Sequence, residues 1–106
     1  MERFDREAPL PAQMQGRWVE AEDSASELII EGGDILCFGA AVAYDYKLMG
    51  EDDGAVVVSL RVEDDAQDDA FQRANITELV LTPDGEFHAY NVKFSSQFVR
   101  SAGGGA

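Results

Sequence analysis

The stretch Ser26–Phe38, with the sequence SELIIEGGDILCF, decides the fold class of this chain. Two short apolar runs flank Gly32-Gly33-Asp34, and glycines accept the positive φ angles that tight hairpin turns require. The stretch therefore predicts a β-hairpin. Both runs, Leu28-Ile29-Ile30 and Ile35-Leu36-Cys37-Phe38, are apolar at every position. We therefore expect something to cover the outside of these strands as well as the inside.

The same pattern of short apolar runs continues toward the C terminus, where turn sequences rich in glycine, proline and aspartate separate the runs. This spacing is typical of an antiparallel all-β domain. The segment Glu63 to Arg73 is the longest interruption, and it predicts a loop or a short helical turn near residues 66–72 that Phe71 anchors. Further strands are predicted over residues 17–21, 42–48, 55–62, 75–82, 87–94 and 98–100.

These elements predict a single small antiparallel up-and-down β-barrel of about seven or eight strands, spanning residues 16–100. Up-and-down connectivity follows because almost every link between strands is short, although a stacked sandwich would also hide the strand edges. Residues 1–15 are expected to form an extended lead-in, since Pro9-Leu10-Pro11 restricts the backbone there. Residues 101–106, with three consecutive glycines, are expected to be a flexible tail.

Gly16-Arg17-Trp18 at the first predicted barrel strand, together with Arg100 after the last, resembles the lipocalin and calycin barrels. The resemblance implies that Trp18 closes the bottom of the barrel and that Arg100 packs over its indole. A guanidinium over an indole face gains about 0.5–2 kcal/mol by cation–π attraction. In length the chain is closer to compact relatives such as the avidin-like barrels and the small bacterial metalloprotease inhibitors.

The charge of the chain restricts its partners. Twenty-one acidic residues against eight basic ones give a formal net charge of −13, which repels phosphate backbones and anionic lipids. We therefore expect neither nucleic acid nor a membrane as partner. The opening residues 1–7 are mostly charged and do not predict a secretory signal, so a cytoplasmic location is expected. The single Cys37 excludes an intramolecular disulfide.

Four polar aromatic side chains suggest a ligand pocket. Tyr44, Tyr46, His88 and Tyr90 would point inward if Val42, Leu48, Val92 and Phe94 do. Phenol and imidazole groups among apolar walls are suited to orienting a small, partly apolar ligand. The alternative is that these side chains fill a narrow barrel completely, as eight-stranded barrels allow.

No set of residues predicts catalysis, a cofactor or a metal. His88 is the only histidine, and Cys37 lies in an apolar strand where it acts as a small hydrophobic residue. The acidic runs 51–53 and 64–69 do not reproduce the spacing of a calcium loop, so we interpret them as solvated surface. No sequence pattern identifies the nucleophile, base and orienting group that would indicate an enzyme.

Two functions remain open at this point. The first is a non-enzymatic barrel that binds a small, partly apolar ligand. The second is an acidic inhibitor or adaptor that docks on a basic protein through residues 50–54 and 63–70, with fast, salt-dependent association. The two-sided apolar strands are covered either by the lead-in segment or by a second copy of the protein, and we predict a homodimer with Ile29 and Val57 near the contact.

Overall fold

A computed structural model of the chain describes residues 2–37, 39–91 and 95–100. The predicted tail over 101–106 lies outside the described residues, as do Phe38, Val92 and Phe94. The strands are β1 (Glu2–Asp5), β2 (Gly16–Glu20), β3 (Asp23–Glu31), β4 (Asp34–Cys37), β5 (Ala40–Ala41), β6 (Tyr46–Asp52), β7 (Ala55–Arg61), β8 (Glu78–Leu81), β9 (Phe87–Tyr90) and β10 (Ser95–Arg100); a 3-10 turn, η1, spans Ala12–Met14 and helix α1 spans Asp65–Ala74.

The strands form one curled, barrel-like sheet in the order β1-β6-β7-β8-β9-β10-β2-β3-β4-β5, and every pair is antiparallel. Two meanders, β2 to β5 and β6 to β10, are joined by the pairing of β10 with β2. The all-β, barrel-like class predicted from the sequence is thus confirmed. The predicted hairpin is also present, with Glu31 paired to Asp34 across the Gly32-Gly33 turn.

The strand count and the role of the first residues differ from the prediction. The sheet has ten strands rather than seven or eight. One addition is β1, which pairs with β6 inside the segment expected as an extended lead-in. A second difference is that residues 42–45 form no strand, so β6 begins only at Tyr46. Charged residues obscured β1 in the sequence because an edge strand tolerates them on its exposed positions.

Helix α1 lies in the connection from β7 to β8 and is longer than the helical turn predicted. Its first turn is capped by Asp64, whose carboxylate accepts a hydrogen bond of 2.9 Å from the backbone N–H of Ala66. Phe71 is buried, as expected of an anchoring residue. Among the described residues, no helix is both long and apolar enough to cross a membrane.

The core lies on one face of the curled sheet. Alternate residues of the strands point to this inner face, and Leu10 and η1 add to it from the N-terminal side. Met14 of η1 is fully buried within it. The hydrophobic members of the core are Leu10, Met14, Trp18, Leu28, Ile30, Ile35, Val42, Tyr44, Val58, Leu60, Phe71, Ile76, Leu79, Phe87, Ala89 and Phe98.

The segment that follows β1 contacts the turn between β3 and β4. The backbone N–H of Leu10 donates to the carbonyl of Gly32 at 2.9 Å. Gly33 permits this approach, because a Cβ atom there would lie 2.5 Å from the Arg6 carbonyl oxygen. The segment over residues 6–10 therefore closes the gap in the wall beside the β3–β4 turn.

Candidate functional site

The four residues predicted to line one pocket do not share a face. Tyr44 is buried in the core, whereas Tyr46 lies on the outer face with the Arg3 guanidinium 3.9 Å from its ring centroid. His88 and Tyr90 also lie on the outer face, and their ring centroids are 6.2 Å apart. The reason is the pleat of β9, which buries Phe87 and Ala89 in place of its two polar aromatic residues.

Tyr44 belongs to a group of three side chains, Arg6, Tyr44 and Lys47, that we call the seam cluster because it closes the gap between β1 and the β3–β4 turn. The Tyr44 hydroxyl donates to the Gly33 carbonyl at 2.6 Å. The Arg6 guanidinium lies 4.5 Å from the Tyr44 ring centroid and donates to the Gly33 carbonyl and to Asp34.

Lys47 is the residue of the seam cluster that sequence reasoning missed. It is fully buried, and its ammonium donates to the carbonyls of Asp5 at 2.8 Å and Arg6 at 3.1 Å and to the Tyr44 hydroxyl at 3.1 Å. Burial lowers the pKa of Lys47 and raises that of Tyr44. All three ammonium protons have acceptors, so the cluster acts as an internal brace rather than as a reactive amine.

Trp18 and Arg100 form the contact that the sequence resemblance implies. The two residues are paired across β2 and β10, and the Arg100 guanidinium lies 4.0 Å from the indole centroid. Gly16 makes room for it, because a Cβ atom on Gly16 would lie 2.6 Å from Nη1 of Arg100. The glycine two residues before the tryptophan therefore has a direct steric function, reinforced by its φ of 117°.

The same two side chains hold η1 in the end of the barrel. The Trp18 indole N–H donates to the Met14 carbonyl at 3.0 Å. Arg100 donates to the Gln13 carbonyl at 2.9 Å and to the Gln15 carbonyl. The fully buried Met14 side chain thus closes this end together with the indole. The N–H groups of Arg100 that face η1 donate hydrogen bonds to these backbone carbonyls.

A groove of about 600 Å³ opens beside this closure, and we call it the end groove. It lies where β10 ends and the β8–β9 turn begins, next to the β6–β7 turn, since a Cβ atom on Gly54 would lie 3.2 Å from Pro83. Its apolar residues are Trp18, Leu81, Phe98 and Val99, and its polar residues are Gln13, Asp84, Glu86, Gln97 and Arg100.

The electrostatics of the end groove are set by two carboxylates and one guanidinium. Arg100 is bound to η1 and stacked on Trp18, as described above. Glu86 contacts the imidazole of His88, with Oε1 and Nε2 3.2 Å apart. Asp84 and Glu86 are both exposed at the rim. The groove therefore combines an apolar floor with carboxylates that face solvent.

The remaining predicted residues occupy separate places. Cys37 lies on the inner face of β4, where burial raises the pKa of its thiol to about 11, and His88 lies on the outer face of β9. The two side chains therefore lie on opposite faces of the sheet, on strands that do not pair, and do not form a catalytic dyad. Within residues 2–37, 39–91 and 95–100, no three metal-binding side chains converge.

The two residues predicted at a dimer contact, Ile29 and Val57, are both half-buried on the outer face. They lie on β3 and β7, which are separated by four strands in the sheet. Leu36 neighbours Ile29 and is 37% exposed. The homodimer remains a prediction, which sedimentation at high protein concentration tests.

Comparisons of this chain with protein-family models, with curated proteins and with solved structures found no significant match.

Proposed function

We propose that this protein binds a small, partly apolar molecule in the end groove, without catalysing a reaction. The observation that carries the proposal is the groove itself, whose volume of about 600 Å³ is that of a small-molecule site. Leu81 and Val99 offer the accessible apolar contact, Phe98 lies buried beneath them, and the polar rim would orient the ligand. The site differs from the four-residue pocket expected from the sequence.

The groove is also suited to binding because its floor is already ordered. Phe98 is only 1% exposed, and Trp18 is fixed by its hydrogen bond to Met14 and by the Arg100 guanidinium. A ligand that enters such a site has few side chains to order, which reduces the entropic cost of binding.

Trp18 gives the experiment a local reporter, because it is the only tryptophan of the chain and lines the groove. We would titrate the protein with 1-octanol, a neutral amphiphile, and follow both indole fluorescence and heat of binding. Saturable binding that alters Trp18 emission is the expected result. Heat without an emission change would place the ligand elsewhere, and the absence of both signals would contradict the proposal.

A matched pair of variants identifies the site. Val99→Gln changes a groove residue that is 43% exposed, and Leu36→Gln changes a residue of similar exposure outside the groove. Burying part of a valine side chain contributes about 1 kcal/mol, so Val99→Gln should weaken octanol binding about fivefold. Leu36→Gln should leave binding unchanged. Equal affinities of both variants and the parent chain would show that the groove is not the site.

The acidic interaction module is the second candidate, and the distribution of charge favours it. Four described arginines, Arg3, Arg6, Arg17 and Arg73, already form ion pairs within the chain, and most of the described acidic side chains are exposed. However, residues 50–54 and 63–70 adjoin opposite ends of β7, about 20 Å apart for a strand of this length. A basic partner would therefore have to use one acidic loop or span the strand. Binding of pentalysine that weakens steeply with salt, in a protein that ignores octanol, would favour this function.

A further inference from the structure

The charges around the end groove indicate which amphiphile it would accept. The groove contains Asp84 and Glu86 against the single cation Arg100. Arg100 uses N–H groups on the carbonyls of Gln13 and Gln15 and one face on the Trp18 indole. An anionic head group would therefore meet two carboxylates and a guanidinium that is already engaged.

A cationic head group would instead be attracted by the exposed carboxylates around the groove. Asp84 lies in the β8–β9 turn, and its side chain is exposed to solvent. Glu86 lies three residues after Pro83 in the same turn region, and only its Oε1 atom contacts His88. The adjoining β6–β7 turn adds Asp52 and Asp53, which are also exposed. The field at this end of the barrel is negative, as is the whole chain.

The apolar floor and the carboxylates lie in a definite order. Leu81 ends β8, Asp84 and Glu86 follow in the turn, and Phe98 and Val99 lie on β10 across the groove. A molecule with its hydrocarbon part on Leu81 and Val99, above the buried Phe98, thus places its head group beside the turn. We propose that the natural ligand of the end groove is a small amine with an apolar chain, bound as its ammonium form. This inference rests on the proposed function and specifies the ligand class of the same site.

The test compares three molecules with the same eight-carbon chain: octylamine, 1-octanol and octanoate. At pH 7 the amine is protonated and the acid is ionised, so the head groups carry charges of about +1, 0 and −1. Solvent-exposed ion pairs each contribute modestly, about 0.2–1 kcal/mol. With two carboxylates we expect octylamine to bind about three- to tenfold more tightly than octanol at low salt, and octanoate to bind most weakly.

The carboxylates are tested by a double variant and a charge-matched control. Asp84→Asn with Glu86→Gln should reduce octylamine affinity to that of octanol. Glu22→Gln with Asp69→Asn removes the same formal charge from exposed residues outside the groove and should preserve the preference. Loss of the preference in both double variants would mean that only the overall charge acts, which would overturn the inference.

The outcomes separate the two proposals. If all three molecules bind the end groove with equal affinity, the proposed function stands and the preference for amines is refuted. If octanoate binds best, the preference is likewise refuted. If none of the three binds, the proposed function itself fails, and the ligand class fails with it. A preference for octylamine that also shrinks at high salt is the supporting result.

Discussion

Replacing Lys47 by methionine tests whether the buried ammonium braces the wall of the barrel. Methionine is unbranched and similar in length, so it fills the space of the lysine stem while it removes the three donors. The carbonyls of Asp5 and Arg6 would lose their bonds to Nζ, whereas the Tyr44 hydroxyl would keep its bond to Gly33. The change thus acts on the junction between β1 and the β3–β4 turn.

The size of the effect follows from two opposing contributions. A hydrogen bond to a charged group typically contributes about 1.5–3 kcal/mol, and Lys47 makes three. Against this stands the cost of removing an ammonium from water, which is several kcal/mol in a protein interior. We expect Lys47→Met to lower the free energy of unfolding by about 2–4 kcal/mol, a large share of the roughly 5–15 kcal/mol of a typical domain.

Urea unfolding at pH 7, followed by the emission of the single Trp18 and by far-UV circular dichroism, measures this difference. Leu48→Met is the control, because Leu48 is the next residue of β6, is only half-buried and points to the outer face. It should cost less than about 1.5 kcal/mol. If Lys47→Met unfolds at the same urea concentration as the parent chain, the desolvation cost cancels the three bonds and the bracing argument is refuted.

Three further predictions concern single residues. Gly16→Ala should destabilise the fold by more than Gly85→Ala and should shift Trp18 emission. Both glycines have positive φ, but only a Cβ atom at residue 16 would meet Arg100. Equal unfolding free energies and unchanged emission would contradict the steric argument. Cys37 should react with iodoacetamide at pH 8 about 100-fold more slowly in the folded than in the urea-unfolded protein. Burial raises the pKa of its thiol from 9.0 to about 11, which lowers the fraction present as reactive thiolate. Similar rates in both states would show that the thiol is not shielded. Burial lowers the pKa of Lys47 below its ordinary value of 10.5, so between these two pKa values the unfolded chain binds more protons than the folded one. The difference in unfolding free energy between the parent chain and Lys47→Met should therefore widen as pH rises through this range. A difference that narrows would reverse the assigned direction.

The turns of this protein were predictable because their residues have few alternatives. The Gly32-Gly33 hairpin and the 83–85 turn lie between strands as expected, whereas the turn expected over 50–54 is confined to Asp53-Gly54, because β6 extends to Asp52. Phe71 was correctly identified as an anchor because it is an isolated large apolar residue in a polar segment. These signals are local, so a single sequence contains them.

The inward face of β9 could not be predicted in the same way. Phe87, His88, Ala89 and Tyr90 are all apolar or aromatic, so alternation alone does not say which pair is buried. The choice depends on Trp18, whose ring centroid lies 4.4 Å from that of Phe87 on a distant strand. A shift of one residue exchanges the two faces completely, and with them the candidate pocket.

Lys47 escaped prediction for a related reason. Its acceptors are two backbone carbonyls and a hydroxyl, and the positions of backbone carbonyls cannot be predicted from residue types. A lysine between Tyr46 and Leu48 therefore suggests an exposed position until the path of residues 5–6 is known. The end groove was missed likewise, because it depends on the packing of η1 against β10.

The pairing of β10 with β2 also has a consequence for how the chain folds. It joins Trp18 to Arg100, and the guanidinium reaches the Gln15 carbonyl 85 residues earlier in the sequence. Proteins dominated by such non-local pairings fold in milliseconds to seconds, because a long loop must close before the contact forms. During synthesis, the β2 edge stays unpaired until residues 95–100 have emerged. The indole should therefore acquire its final environment late in folding. The time course of Trp18 emission thus reports when β10 pairs with β2.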